Sequence, residues 1–264
     1  MPAIDLPKVR VRATAIAEQL SDLPALLTNV HTLLEDYADP ARHLTKKLAD
    51  NASPNVFGTP MPVVRTVVTA LRKPMQAAPP SALEVLKGLW AAGSREERRI
   101  AAELAGVLAR LTPTEVQALI DRWLLEVESA ETADALAEYA FSPLMLADPI
   151  THLQSAYRWV THPQKWVRRF GLSALGPLTK DRKWDDVQRA LEVLRNAMAE
   201  ADPDVRKAVA TIVRDLIPKG PAEVNRFLRE QALRPNNNTH WIIRTAMVKL
   251  SPEEQAEIVS LMRA

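Results

Sequence analysis

The sequence contains no cysteine, which excludes disulfides, thiol nucleophiles, iron–sulfur clusters and thiolate zinc sites together. Glycine is scarce, with seven in 264 residues against twenty prolines. Ordinary usage is the reverse, roughly 7% Gly and 5% Pro. Phosphate-cradling loops and dinucleotide folds need glycine where backbone meets ligand, so both are disfavoured. Asn-Gly and Asp-Gly pairs are absent, and with them the strongest hairpin signal. No apolar run approaches the length of a membrane span, and the first dozen residues lack the apolar stretch of a secretory signal. A cytoplasmic location is the expectation. An excess of either charge is also missing: 34 Lys+Arg stand against 32 Asp+Glu.

What is present is helical. Leu, Ala and Val recur at helical spacing, and the prolines fall at helix starts and ends. Fifteen helices are predicted between residues 8 and 263, among them 39–50, 62–72, 130–141, 164–176 and 183–199. Several open on capping signals: Ser94 before Arg95-Glu96-Glu97, Thr112-Pro113, Asp202-Pro203-Asp204 and Ser251-Pro252-Glu253-Glu254. The charges are unevenly shared. Residues 81–160 hold 7 basic and 12 acidic side chains, and 161–234 hold 15 and 10.

A repeat organises the chain. Arg99, Asp134, Arg169, Lys207 and Arg244 sit at matching places early in successive helices, 35, 35, 38 and 37 residues apart. Helix pairs at this period predict an all-α, HEAT-like or armadillo-like solenoid with a concave face lined by the second helices. One domain over 1–264 is expected, with N-terminal helices at 1–50, repeats at 55–250 and a terminal helix at 251–264. Two readings of the ladder remain open. Its arginines bridge neighbouring repeats, or they form a cationic surface for a polyanion, interrupted by one carboxylate.

Several passages resemble the AlkD-like family of HEAT-repeat DNA alkylation-repair glycosylases. Phe57-Gly58-Thr59-Pro60-Met61-Pro62-Val63-Val64-Arg65 is similar to the family's Gly-x-x-x-Pro-x-x-Arg segment. Leu89-Trp90 followed by Arg95-Glu96-Glu97-Arg98 resembles its Leu-Trp … Arg-Glu helix pair, Trp166-Val167-Arg168-Arg169 its Trp-x-x-Arg, and Val213-Arg214-Asp215 a Val-Leu-Arg-Glu passage. The likeness runs from about residue 55 to 250. It implies that Ala130-Glu131-Thr132-Ala133-Asp134 corresponds to the family's catalytic Trp-Asp-Ser-Val-Asp run, placing Asp134 at the catalytic position. Ala130 and Thr211 then stand where the family has tryptophans. The implied activity is release of N3- or N7-alkylated purines from double-stranded DNA by a monomer without a cofactor, with Arg169 and Arg214 on phosphates. Arg99, Lys207 and Arg244 from the ladder, and Trp166 at the start of a repeat helix, complete the expected DNA-binding set.

Two alternatives carry weight: a catalytically silent DNA-binding relative, and a protein-binding scaffold. Asp134 also has a plainer reading, as one more solvated acid beside Glu126, Glu128, Glu131 and Glu138. The histidines at 31, 43, 152, 162 and 240 form no i,i+4 pair, so no metal site is expected.

Overall fold

The helix starts obey local chemistry. Asp5, Asp22, Asp148, Asp186, Asp202 and Asn236 each accept a backbone N–H from the first turn of the helix they precede, and proline occupies the first turn in many of them. Ser94 and Ser251 close full capping boxes with Glu97 and Glu254. Each such cap contributes about 1 kcal/mol. Thr112 differs from expectation. Its hydroxyl donates back to the Leu108 carbonyl and makes no cap.

The structure, a computed structural model, describes residues 4–39 and 55–263. It is all-helical, with no strand among the described residues. Most of the helix expected at 39–50, and His43, lie outside them. Contacts divide the chain into two units, Met1–Pro143 and Leu144–Ala264.

In the first unit the helices are α1 (Leu6–Ala17), α2 (Leu23–Asp36), α3 (Met61–Ala77), α4 (Pro79–Ala92), α5 (Arg95–Leu108), α6 (Pro113–Trp123) and α7 (Ala130–Ala135). They stack in two rows. One row runs α1, α3, α5 and then α7 with the adjoining π-helical turn Leu136–Phe141; the other runs α2, α4, α6. Between the rows, Val64, Leu71, Leu86, Ile100, Leu104 and Phe141 are fully buried. Helix α3 continues through Pro74 to Ala77, five residues past the predicted end.

Helix α8 (Ser142–Ala147) contains the boundary between the units. The second unit then holds α9 (Pro149–Trp159), α10 (Lys165–Ser173), the short α11 (Gly176–Lys180), α12 (Val187–Arg195), α13 (Pro203–Leu216), α14 (Pro221–Ala232), α15 (Asn237–Ala246) and α16 (Pro252–Leu261). Here α10, α13 and α15 pack in series, and α9, α12, α14 and α16 form the other row. The helix predicted at 183–199 is shorter, because Asp186 caps it at Val187. Among the described residues no helix is long and apolar enough to cross a membrane.

Candidate nucleic-acid interface and catalytic carboxylate

All five ladder residues fall on the same kind of helix. Arg99 is on α5 and Asp134 on α7, in one row of the first unit; Arg169, Lys207 and Arg244 are on α10, α13 and α15, in one row of the second. The matching positions read from sequence are therefore matching positions in each stack.

The surroundings of Asp134 begin with a cap. Ser129 accepts the Thr132 N–H at 3.1 Å and shares a 2.9 Å hydroxyl contact with Thr132, fixing the start of α7. Asp134, half-buried, lies in the second turn. The helix predicted at 130–141 does not stay α-helical. Beyond Ala135 the turn widens to the π form through Phe141. One inserted residue rotates the succeeding residues by about 100°. In an unbroken α-helix Asp134 would share its face with Glu138; the wider turn shifts that relation toward Tyr139. Glu138 is exposed and Tyr139 half-buried.

Gly106 on α5 makes this turn possible. A Cβ built at Gly106 would lie 2.0 Å from the Tyr139 carbonyl oxygen and 2.9 Å from its carbon. The backbone of the π turn presses against α5 where only glycine leaves space. Tyr139 then meets Arg99. The Arg99 guanidinium donates from Nη2 to the Tyr139 hydroxyl at 2.8 Å and from Nε to Glu103 at 2.9 Å, and it stacks on the Tyr139 ring at 4.9 Å. Arg99 is thus held rigidly in the helix next to the one bearing Asp134.

The N-terminus of α5 ties the site to the rest of its unit. Arg95 pairs with Glu131 of α7 at 3.1 Å and with Glu96 at 3.1 Å. Glu96 accepts the backbone N–H groups of Phe57 and Gly58 at 3.2 and 3.0 Å, and Gly58 has φ +73°. Two motifs separated by nearly forty residues in sequence therefore touch: one holds the other. The buried Glu97 accepts from Ser94 and pairs with His31 of α2 at 2.9 Å.

In the second unit the ladder residues differ in surroundings. Lys207 and Arg244 are exposed; Arg169 is half-buried and donates to the Asp204 carbonyl. Lys207, Thr211 and Arg214 recur at i, i+4 and i+7 and so form one stripe of α13. Arg214 contacts Asp215 at 3.5 Å. Trp166 is half-buried, with the Lys165 ammonium 4.2 Å over its ring. Lys165 in turn lies 3.4 and 3.5 Å from Asp202 and Asp204. Burial acts to raise the Asp202 carboxyl, but N–H bonds from Val205 and Asp204 and the Lys165 charge outweigh it and hold its pKa below the ordinary 3.8.

Sequence reasoning missed the bridges that doubled cations make between repeats. The cations come in tandem: Arg98-Arg99, Arg168-Arg169, Arg206-Lys207. The first of each pair reaches forward. Arg98 donates to the Glu126 carbonyl, Arg168 forks onto Glu200 at 2.7 and 3.1 Å, and Arg206 donates to Asn238 at 2.6 Å while covering Trp241 at 4.4 Å. The second of each pair occupies the ladder. Of these, Arg99 and Arg169 reach forward as well, to the Tyr139 hydroxyl and the Asp204 carbonyl, while Lys207 is exposed. The doubled cation was the available signal.

Among the described residues no group of three His, Cys, Asp or Glu side chains is placed to hold a metal.

A sequence profile of the DNA alkylation repair enzyme family matches residues 30–250, from α2 through α15. The chain belongs to that family. Comparison with curated protein sequences finds no match. Among solved structures, the fold is similar to that of Pseudomonas fluorescens alkylpurine DNA glycosylase AlkC bound to DNA containing an abasic site analog. The TM-score is 0.54 at 17% identity, covering 98% of this chain and 68% of that one. Family membership thus takes in both the Asp134 helix and the ladder helices of the second unit.

Proposed function

We propose that this family member is a DNA glycosylase that releases positively charged N3- or N7-alkylated purines, with Asp134 as its catalytic carboxylate. The observation that carries the reading is the placement of Asp134. It is the one acid at the matching repeat positions, on the helix packed beside that of Arg99 in the first unit, inside the region the family profile matches. The AlkC structure, a DNA complex of a similar fold, supports a nucleic-acid ligand.

The chemistry asks little of the protein. Alkylation at N3 or N7 makes the purine cationic, so the C1′–N bond breaks with its electron pair going to the base, which leaves neutral. No general acid is needed, unlike the alkoxide departure in sugar hydrolysis. The sugar becomes an oxocarbenium-like cation, which a fixed carboxylate stabilises electrostatically. The same carboxylate orients water toward C1′ and takes its proton. Arg99 in the first unit, and Arg169, Lys207, Arg214 and Arg244 in the second, would neutralise backbone phosphates, and Trp166 would offer an apolar edge. These roles are sequence-blind. They suit an enzyme that must search undamaged DNA.

A second reading, a DNA-binding relative without catalysis, is favoured by Ala130 and the exposed Thr211 where the family has tryptophans. One assay separates the two. Duplexes carrying N7-methylguanine and N3-methyladenine are incubated with wild type and Asp134→Asn, and free base is measured. Release that depends on Asp134 supports the glycosylase. Release no faster than without protein, with binding intact, leaves the silent relative, and equal rates above that background remove Asp134 from the chemistry.

A further inference from the structure

A cleft of about 330 Å³ lies between α1 and α3, lined by Arg10, Thr14, Arg65, Thr66, Thr69 and Ala70. Both arginines are exposed. Among the described residues no carboxylate lines the cleft, and neither guanidinium has an acidic partner. The contrast with Arg12 is close at hand. Two residues along α1 from Arg10, it pairs with Asp36 of α2 at 2.8 Å. The Thr66 and Thr69 hydroxyls donate to the Pro62 and Arg65 carbonyls of their own helix, each at 2.7 Å. Their protons are spent there. The donors facing the cleft are therefore the two guanidinium forks and the Thr14 hydroxyl.

Two like charges over one cleft repel unless an anion sits between them. Guanidinium forks match the paired oxygens of a phosphodiester, and arginine binds that group bidentately. No aromatic side chain lines the cleft, so nothing there would stack a base. The site is suited to backbone and indifferent to sequence. Its place in the fold gives it a use. Helices α1 and α3 begin the row that continues through α5 to α7, which carries Asp134. Arg65, Thr69 and Arg72 recur on one face of α3, and all three are exposed.

We propose that Arg10 and Arg65 jointly hold one backbone phosphodiester of duplex DNA in this cleft, away from the reacting sugar. The inference rests on the DNA reading above, and it goes beyond the family match, which starts at residue 30 and leaves α1 out. The site pairs a helix outside the matched region with one inside it. Its ligand is the phosphate, and its purpose is to fix the duplex along the α1–α7 row so that strand position at Asp134 does not depend on base contacts.

The test is duplex binding by fluorescence anisotropy across 50–200 mM salt, using an undamaged duplex, wild type, Arg10→Gln/Arg65→Gln and Arg10→Lys/Arg65→Lys. Loss of one neutralised phosphate lowers the log–log salt slope by about 0.9 and the affinity by on the order of tenfold at 0.1 M salt. The glutamine pair is expected to show both losses and the lysine pair to recover most of the affinity. In parallel, phenylglyoxal modification read by peptide mass spectrometry is expected to show Arg10 and Arg65 protected by duplex and unprotected by polyglutamate. Unchanged slope and affinity in the glutamine pair overturns the proposal. So does protection by polyglutamate alone, or failure of wild type to bind duplex at 50 mM salt. The readouts do not use catalysis. If wild type binds and protects as expected yet releases no base, the cleft stands and the role of Asp134 falls.

Discussion

The two units use the same repeat to opposite ends. In the first, the ladder cation is immobilised: Arg99 is hydrogen-bonded by Glu103, stacked on Tyr139, and set beside a helix that breaks into a π turn. In the second, three ladder helices are regular, and Lys207 and Arg244 extend into solvent with no acidic partner among the described residues. The first unit fixes the position of a few groups closely; the second holds Arg169 on the Asp204 carbonyl and offers exposed positive charge at Lys207 and Arg244. Reaction at one sugar needs the former, because a misplaced carboxylate stabilises little. Holding the phosphates of a duplex needs only the latter.

The largest effect expected from breaking this contrast is at Asp134. Asp134→Asn is predicted to slow base release from methylated duplex on the order of a hundredfold or more, with duplex affinity retained or raised, as read by single-turnover kinetics and anisotropy. The rigidity of the first unit has its own probe. Gly106→Ala pushes a Cβ into the Tyr139 carbonyl, so the π turn must move. A loss of about 1–3 kcal/mol is expected in chemical unfolding, and the Arg99–Tyr139 contact is predicted to loosen even where the fold survives.

The exposed and bridging cations of the second unit sharpen the comparison further. Lys207→Ala and Arg244→Ala should each cost duplex affinity, with the salt slope falling by about 0.9 apiece and unfolding unaffected. Arg168→Ala should do the opposite. It leaves Glu200 half-buried without its fork, lowering stability by about 1–3 kcal/mol, with the salt slope unchanged. Equal effects from the exposed and the bridging cations would erase this distinction.

The smallest effect is in acid. Because the Asp202 carboxyl titrates below its ordinary 3.8 when folded, its contribution is fully present above that pH and is lost as pH falls through 3.8 toward the lower folded value. Asp202→Asn should therefore be less stable than wild type near neutrality, and the gap should narrow on acidification. A gap that widens in acid contradicts the assignment.

Much of this architecture was legible in sequence because helices announce themselves locally. Pro221–Ala232 is bounded as the pattern predicts, and Ser94, Asp202 and Ser251 cap as expected. The ladder was legible as spacing. Three things were not. The π turn after Ala135 depends on the absence of a side chain at Gly106, some thirty residues earlier, and no local window contains both. The continuation of α3 past Pro74 reflects tertiary packing, with Leu71 and Met75 fully buried on either side of the proline. The forward bridges of the tandem cations depend on partners such as Glu200 and Asn238 that only the stacked helices bring near. Arg10 was invisible for a similar reason: its cleft needs Arg65, from a helix two elements away.

The forward-reaching side chains also bear on how the chain finds its fold. Arg168 meets Glu200 and Arg206 meets Asn238 across 32 residues each, and Arg195 meets Glu230 across 35. Each bridge closes a loop of about one repeat, never of several. Loop-closure entropy grows only as the logarithm of length, about 0.6 kcal/mol per doubling, but short separations keep contact order low, and low contact order goes with fast folding. In the second unit a helix pair added to the stack meets mainly its neighbour, so ordering can begin at more than one place and spread by one repeat at a time. The same arrangement sets the route of loss, with bridges released singly from an end while the next repeat is still closed.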